Sequence, residues 1–381
     1  MRKITIFADP ILRDWPKASL AQPVEHRIRN AKVVSSNLIA GSIVRRQAGD
    51  FLYICPCMKR LLNIIACVAV LAACTETSSP LPPRGLQYAR WLDLTDSTVV
   101  SISPFDGSVD TLRLDRIYDT VVCMSSSYAA GFAEIGKASC VAGISGRRYL
   151  TNPSLKASAV EVGSDAALDY ERVLALNPDV GLVYGVSSAE PAYVRRLGEM
   201  GIRTFRLYDH LESSPLGRAE YMRAWGALTG CPETADSIFL TIREAYDSLK
   251  VPEPKRPLQV MVNAPLGDAW YIPGLDNFFT RMIADAGGEI LGSQPGTESS
   301  TISLERAFLL SRKADVWLNP GSELPKYFPA VPAWDNTLRT NENGGNDFWE
   351  RGMVRPDLVL SDLVAIFRGD APDSLYYFRC L

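Results

Sequence analysis

Histidine is almost missing from this chain: His26 and His210 are its two copies in 381 residues. That scarcity limits any histidine-based catalytic or metal-binding reading. Also missing are a Walker-type phosphate loop, a Gly-x-Gly-x-x-Gly turn, a Gly-x-Ser-x-Gly elbow and any Cys/His cluster with zinc-like spacing. Nucleotide binding is therefore unsupported. No apolar run reaches the roughly 18–20 residues that cross a bilayer. No long basic run occurs either, and Lys+Arg is 40 against Asp+Glu 43, so nucleic acid is a poor partner. What is present is core-forming material, 47% hydrophobic and 22% charged residues. That composition excludes wholesale disorder, a collagen-like repeat and a small disulfide-stapled scaffold. At roughly 150 residues per domain, the length suggests two to three domains.

The front of the chain carries an export signal in an unusual place. Met58-Lys59-Arg60 precedes a run of 13 mostly apolar residues, Leu61 to Ala73, the size of a secretory h-region. The run closes on Leu71-Ala72-Ala73-Cys74, similar to a bacterial lipobox whose cysteine is lipidated. Residues 75–83 then read as a flexible polar tether. A buried helix with a chance cysteine is the plainer alternative, but cations, apolar length, small residues and tether all agree on the leader. A leader belongs at an N-terminus, so Met58 reads as the start and residues 1–57 as an over-called upstream extension. Cleavage before Cys74 removes eleven of the 40 cations and four of the 43 anions, leaving 29 against 39, a net −10. An acidic exported chain suits neither nucleic acid nor an anionic membrane surface. Export permits disulfides among Cys123, Cys140, Cys231 and Cys380, although free buried thiols fit equally well.

Beyond the tether and lipidated cysteine (74–85), residues 86–115 alternate in short apolar runs around Phe105-Asp106-Gly107-Ser108, predicting a β-hairpin or small meander. From 116 the pattern becomes strand–helix–strand. It predicts strands at 120–124, 140–144, 180–184 and 203–207, with helices over 128–135, 170–176 and 190–200. Ser125-Ser126-Ser127 reads as a cap for the first helix. Residues 216–250 are helical with one break at Gly230-Cys231-Pro232, and the Pro-rich run 251–257 marks a boundary. A second α/β set follows to the C-terminus. The fold expected is α/β, with two Rossmann-like lobes of mainly parallel strands: 116–230, an interlobe helix 231–256, and 257–381. Ligands of such folds sit in the cleft between lobes, at loops beyond strand ends.

Those loops offer aromatics and cations. Ser125, Tyr128, Arg147, Arg148, Tyr149, Trp270, Tyr271 and Trp334 are the candidate ligand-binding residues, with aromatics to clasp a large planar ligand and arginines to meet its anionic groups. The plainer reading of these aromatics is ordinary packing under loops. Ser125–Ser127 would need His210 as its base to act as a nucleophile, and capping is the simpler role.

These residues resemble a known family. Val121-Val122-Cys123-Met124-Ser125, the run Asp169–Val180, Leu197-Gly198-Glu199-Met200-Gly201-Ile202, Ile283–Gly288, Ile302–Arg306 and Arg355–Leu360 are similar to segments of the periplasmic binding proteins serving ABC importers of iron–siderophores, haem and vitamin B12. The resemblance covers about 115–381, in order and in both lobes, and residues 86–115 and 334–350 are similar to a Bacteroidetes lipoprotein variant. It implies class III lobes joined by one rigid helix and little closure on binding. It also implies an ABC permease with its ATPase as partner, no resident cofactor or metal, and a monomer facing the periplasm. Glu171 and Glu305 match the family's permease-docking glutamates, each at a helix start where a carboxylate also suits the helix dipole. No haem-ligating His or Tyr motif is evident, so the chelate stays open between a ferric siderophore, haem and cobalamin. A surface adhesion scaffold and a serine-type hydrolase are the rival classes.

Overall fold

The computed structural model describes residues 85–381 apart from 268, 322–326 and 372–374. The leader, Cys74 and most of the tether lie outside the described residues. The described part belongs to a compact unit, Pro80–Leu381.

Three short strands come first: β1 (Leu92–Leu94), β2 (Thr98–Ile102) and β3 (Val109–Arg113), an antiparallel meander in the order 1-2-3. It lies against the edge of the first lobe. Ser101 Oγ donates to the Arg206 carbonyl at 2.5 Å, and Arg203 pairs with Asp110. A covered edge strand offers no open ladder to another chain.

The first lobe alternates strand and helix: β4 (Val121–Cys123), α1 (Ser126–Glu134), β5 (Val141–Ile144), α2 (Pro153–Ser158), β6 (Val160–Glu161), the small pair β7 (Gly163–Ser164) and β8 (Ala167–Leu168), α3 (Tyr170–Leu176), β9 (Val180–Tyr184), α4 (Ala192–Glu199) and β10 (Thr204–Leu207). Its five-stranded sheet runs β10-β9-β4-β5-β6, every pairing parallel. The strands are apolar on both faces because helices cover both, as in β4, whose three residues are all buried. Asn177, at φ 45°, ends α3 in the left-handed conformation that asparagine tolerates.

Two helices then link the lobes. In α5 (Pro215–Leu228), Leu216 belongs to the second lobe's core, while Ala219 through Leu228 join the first. In α6 (Pro232–Leu249) the order reverses: Ala235, Phe239 and Ile242 sit in the first core and Tyr246 in the second. The helix expected over 231–256 thus crosses between lobes over 232–249, with α5 packed antiparallel beside it. Gly226 allows the contact, since a Cβ there would lie 2.3 Å from the Ala235 Cβ.

The second lobe comprises β11 (Leu258–Val262), β12 (Pro265–Leu266), β13 (Ala269–Ile272), α7 (Phe278–Asp285), β14 (Gly288–Ile290), β15 (Ser300–Ser303), α8 (Leu304–Ser311), β16 (Val316–Leu318), β17 (Ala333–Asp335), α9 (Asp347–Glu350), α10 (Pro356–Arg368) and β18 (Arg379–Cys380). Its main sheet, β14-β11-β16-β17-β18, is parallel except at β17–β18. A three-stranded antiparallel layer, β12-β13-β15, stands beside it. Cys123, Cys140, Cys231 and Cys380 are free thiols, the first two buried.

Candidate functional site

The first lobe's strand ends gather several expected residues. Ser125 follows β4 as the backbone cap of α1, but its hydroxyl makes no capping bond; it lies 2.9 Å from the Ser127 hydroxyl. Among the described residues the hydroxyl partner of Ser125 is Ser127, and no hydrogen bond joins either serine to His210. Tyr128 is buried and donates to Asp209 Oδ1 at 3.0 Å. Asp209 lies just beyond β10 and takes Arg218 of α5 on its other oxygen at 2.6 Å. Burial works against ionisation of Asp209, yet the Arg218 and His210 charges and two hydrogen bonds outweigh it and hold its pKa below the ordinary range. Burial pushes His210 down, which favours a neutral imidazole.

Residues from both lobes meet around this pair. Arg218 stacks on Phe278 of α7 at 4.6 Å and reaches the Met353 sulfur at 3.1 Å, while its Nε is buried without a partner. Ser127, Tyr128, Asp209, Arg218, Met353 and Val354 line a cavity of ≈ 10 Å³ here, room for about one water. Composition gave no sign of Asp209 or Arg218 as interlobe residues. The available signal was position, since Asp209 directly follows a parallel strand, where such folds place ligand contacts.

The remaining candidates divide. Arg147 turns back on its own lobe, its guanidinium donating to the carbonyls of Ala159 and Lys156. Arg148 is exposed, lying over the Tyr149 ring and bonding its hydroxyl. Trp270 is not a cleft residue: it is fully buried, its indole donates to the Val262 carbonyl at 2.8 Å, and it packs on Trp317 and Phe328. The segment expected as a loop is strand β13, and period-two alternation sends Trp270 and Ile272 inward while Ala269 and Tyr271 keep partial exposure. Tyr271 accepts Asn263 Nδ2 at its carbonyl. Trp334, half-buried in β17, packs against the second core. These residues therefore do not form one cluster.

A clasp from the second lobe closes one side of the interlobe space. Glu350 is buried and accepts the backbone N–H groups of Thr151 and Asn152 at 2.7 and 3.0 Å, and Asp347 accepts the Thr151 hydroxyl at 2.8 Å. Asn341 Nδ2 donates to the Leu150 carbonyl at 2.8 Å. Glu134 of α1 accepts Arg351 and Arg355, each at 2.9 Å.

Away from the clasp, Glu171 and Glu305 occupy matching places. Each is the exposed second residue of its helix, α3 or α8, behind a capping side chain (Asp169 or Ser303) that accepts the N–H of an arginine, Arg172 or Arg306.

Two sheets of mainly parallel strands, joined by helices that belong to both cores, define a two-lobed binding protein. Residues 121–337 match the family model described as periplasmic binding protein, and the chain belongs to that family. It is similar in fold to a periplasmic haem-binding protein of Pseudomonas aeruginosa, with a TM-score of 0.51 and 19% identity over 69% of this chain and 98% of that one. It is likewise similar to a periplasmic vitamin B12 binding protein of Vibrio cholerae, with a TM-score of 0.52 and 11% identity over 66% and 98%. An uncharacterized lipoprotein of Methanocaldococcus jannaschii is 26% identical over 224 residues, 56% of this chain and 53% of the relative. The chain thus spans about half the length of that curated relative.

Proposed function

We propose that this protein is the solute-binding lipoprotein of an ABC importer. It is exported, anchored through Cys74 and faces the periplasm. It takes up a metal chelate between its lobes, a ferric siderophore, haem or cobalamin, and performs no covalent chemistry. Glu171 and Glu305 present it to the permease, whose ATPase drives release. The observation that carries this reading is the pairing of those two glutamates: one on each lobe, at the same helix position, behind the same kind of cap. A dipole role alone, about 0.3–1 kcal/mol, would not require the same arrangement twice.

The cargo is tested by tryptophan fluorescence of the chain from Thr75 onward, titrated with haem, cobalamin and several ferric siderophores against free tryptophan as an absorbance control. Saturable quenching by one chelate identifies it. Failure of all of them to quench overturns the chelate reading. With the cargo in hand, Glu171→Arg combined with Glu305→Arg abolishes uptake and leaves chelate affinity unchanged. Uptake that survives the double reversal removes the docking assignment.

A further inference from the structure

The segment that leads into the fold is tied down by an unusual device. Five consecutive backbone N–H groups, from Gln87 to Trp91, point at two buried carboxylates of the hinge region. Glu220 takes Gln87, Tyr88 and Ala89 at 2.9, 2.7 and 3.0 Å. Glu212 takes Arg90 and Trp91, each at 2.9 Å. Both acids are essentially inaccessible to solvent. Arg223, itself paired with Glu220 and Asp236, donates to the Gly85 carbonyl at 2.9 Å, and the Trp91 indole donates to the Leu211 carbonyl. A buried carboxylate needs such donors, and a stretch of chain outside any helix or sheet ladder needs such acceptors. The result is a fixed strand of main chain laid along α5.

Tyr88 stands in the middle of that strand and is packed against both lobe cores. Its ring meets Phe239 of α6 edge-on at 6.0 Å. Its carbonyl sits so close to α5 that a Cβ on Gly217 would come within 2.7 Å of the oxygen. On the second-lobe side, the same side chain walls a cavity of ≈ 250 Å³, together with Leu216, Tyr246, Lys250, Arg281 and Asp285. The second lobe therefore has free space beside the hinge helices, and Tyr88 forms part of its wall.

We propose that Tyr88, held by Glu212 and Glu220, is a wedge that sets the angle between the lobes and so the width of the space between them. It is a positioning residue. The segment lies ahead of the matched family region, residues 121–337, so the wedge is an addition to that region. Its relevance to cargo rests on the interlobe ligand reading; the angle itself does not.

The test needs neither cargo nor permease. The chain from Thr75, which contains the whole compact unit, is spin-labelled at Glu199→Cys and Lys313→Cys, one exposed position per lobe, in a Cys231→Ser, Cys380→Ser background. A second pair, Glu289→Cys with Lys313→Cys, reports on one lobe alone. Electron–electron distance measurements are then compared with and without Tyr88→Ala. The expected result is a shifted and broadened interlobe distribution with the intralobe pair unchanged. Gly217→Ala, which displaces the Tyr88 carbonyl while leaving the ring intact, gives the same shift and serves if Tyr88→Ala does not fold. An unchanged interlobe distance in the folded variants overturns the wedge. Equal broadening of both pairs also overturns it, by reducing Tyr88 to ordinary packing.

Discussion

Trp270 and Arg147 both face their own lobes, one in the core and one at the surface. Both occupy segments rich in aromatics, glycine and charge, the composition of a binding loop. What decides their roles is a partner elsewhere in the chain. Trp270 is placed by the strand pairing of β13 with β15, and Arg147 by the carbonyls at the end of α2. A fully buried tryptophan that spends its N–H on a backbone carbonyl contributes both area and a satisfied donor. Trp270→Ala is expected to lower stability by about 3–5 kcal/mol, the usual cost of removing a large core aromatic. Trp349, 52% exposed at the surface of α9, should cost no more than about 0.5 kcal/mol when replaced by alanine. Urea denaturation of the two variants separates the cases. Equal losses would mean that Trp270 is not the core residue described.

At the scale of elements, the clasp has a pH signature. Burial disfavours the charge on Glu134, but Arg351 and Arg355 overcome that penalty and its pKa in the fold lies below the ordinary 4.5. A depressed carboxylate contributes stability that is present above the unfolded value and lost as pH falls through the folded one. Glu350 runs the other way: burial raises its pKa despite the donors from Thr151 and Asn152. Its contribution is present at low pH and fades as pH rises through the raised value. Glu134→Gln should therefore flatten the acid-side fall in stability below pH 4.5 and cost about 1–3 kcal/mol at neutral pH, towards the lower end because Arg351 is one-third exposed. Denaturation midpoints measured across that range read both effects, and an unaltered slope would remove Glu134 as the acid-sensitive group. Elements like α3 and β9 were legible in the sequence because their signals are local: apolar spacing in both, and for α3 the Asp169 cap and the Asn177 stop. The helix over 170–176 and the strand over 180–184 match the structure at both ends. The clasp was not legible. Its partners stand about 200 residues apart, and no periodicity marks a glutamate whose acceptors serve another lobe's backbone. The same holds for Glu220, which sits among ordinary residues of α5, and for Glu212, in the short connection ahead of that helix, since the backbone both serve lies more than 120 residues earlier.

For the whole molecule, the question is whether two lobes behave as two folding units. A compact unit running from Pro80 to Leu381 is well beyond the roughly 150 residues within which all-or-none unfolding is usual. Each lobe also has its own sheet and core. Three features oppose independence. The hairpin of α5 and α6 divides its buried side chains between the cores, so melting either core strips one end of both helices. The lead-in segment packs on both cores through Tyr88. The clasp joins Glu134 and the backbone of 151–152 to the second lobe's 350–355 segment. Cooperativity follows when the loss of one part removes contacts that hold the other. The expected calorimetric trace is one transition whose van't Hoff and calorimetric enthalpies agree. Removing the clasp by Glu134→Gln with Glu350→Ala should lower the midpoint while keeping one transition, because the hinge helices still couple the cores. Adding Tyr246→Ala, which takes away α6's anchor in the second core, should then split the trace in two. Two transitions in the unmodified protein would show instead that the hairpin is only a connector, with each lobe stable without its neighbour.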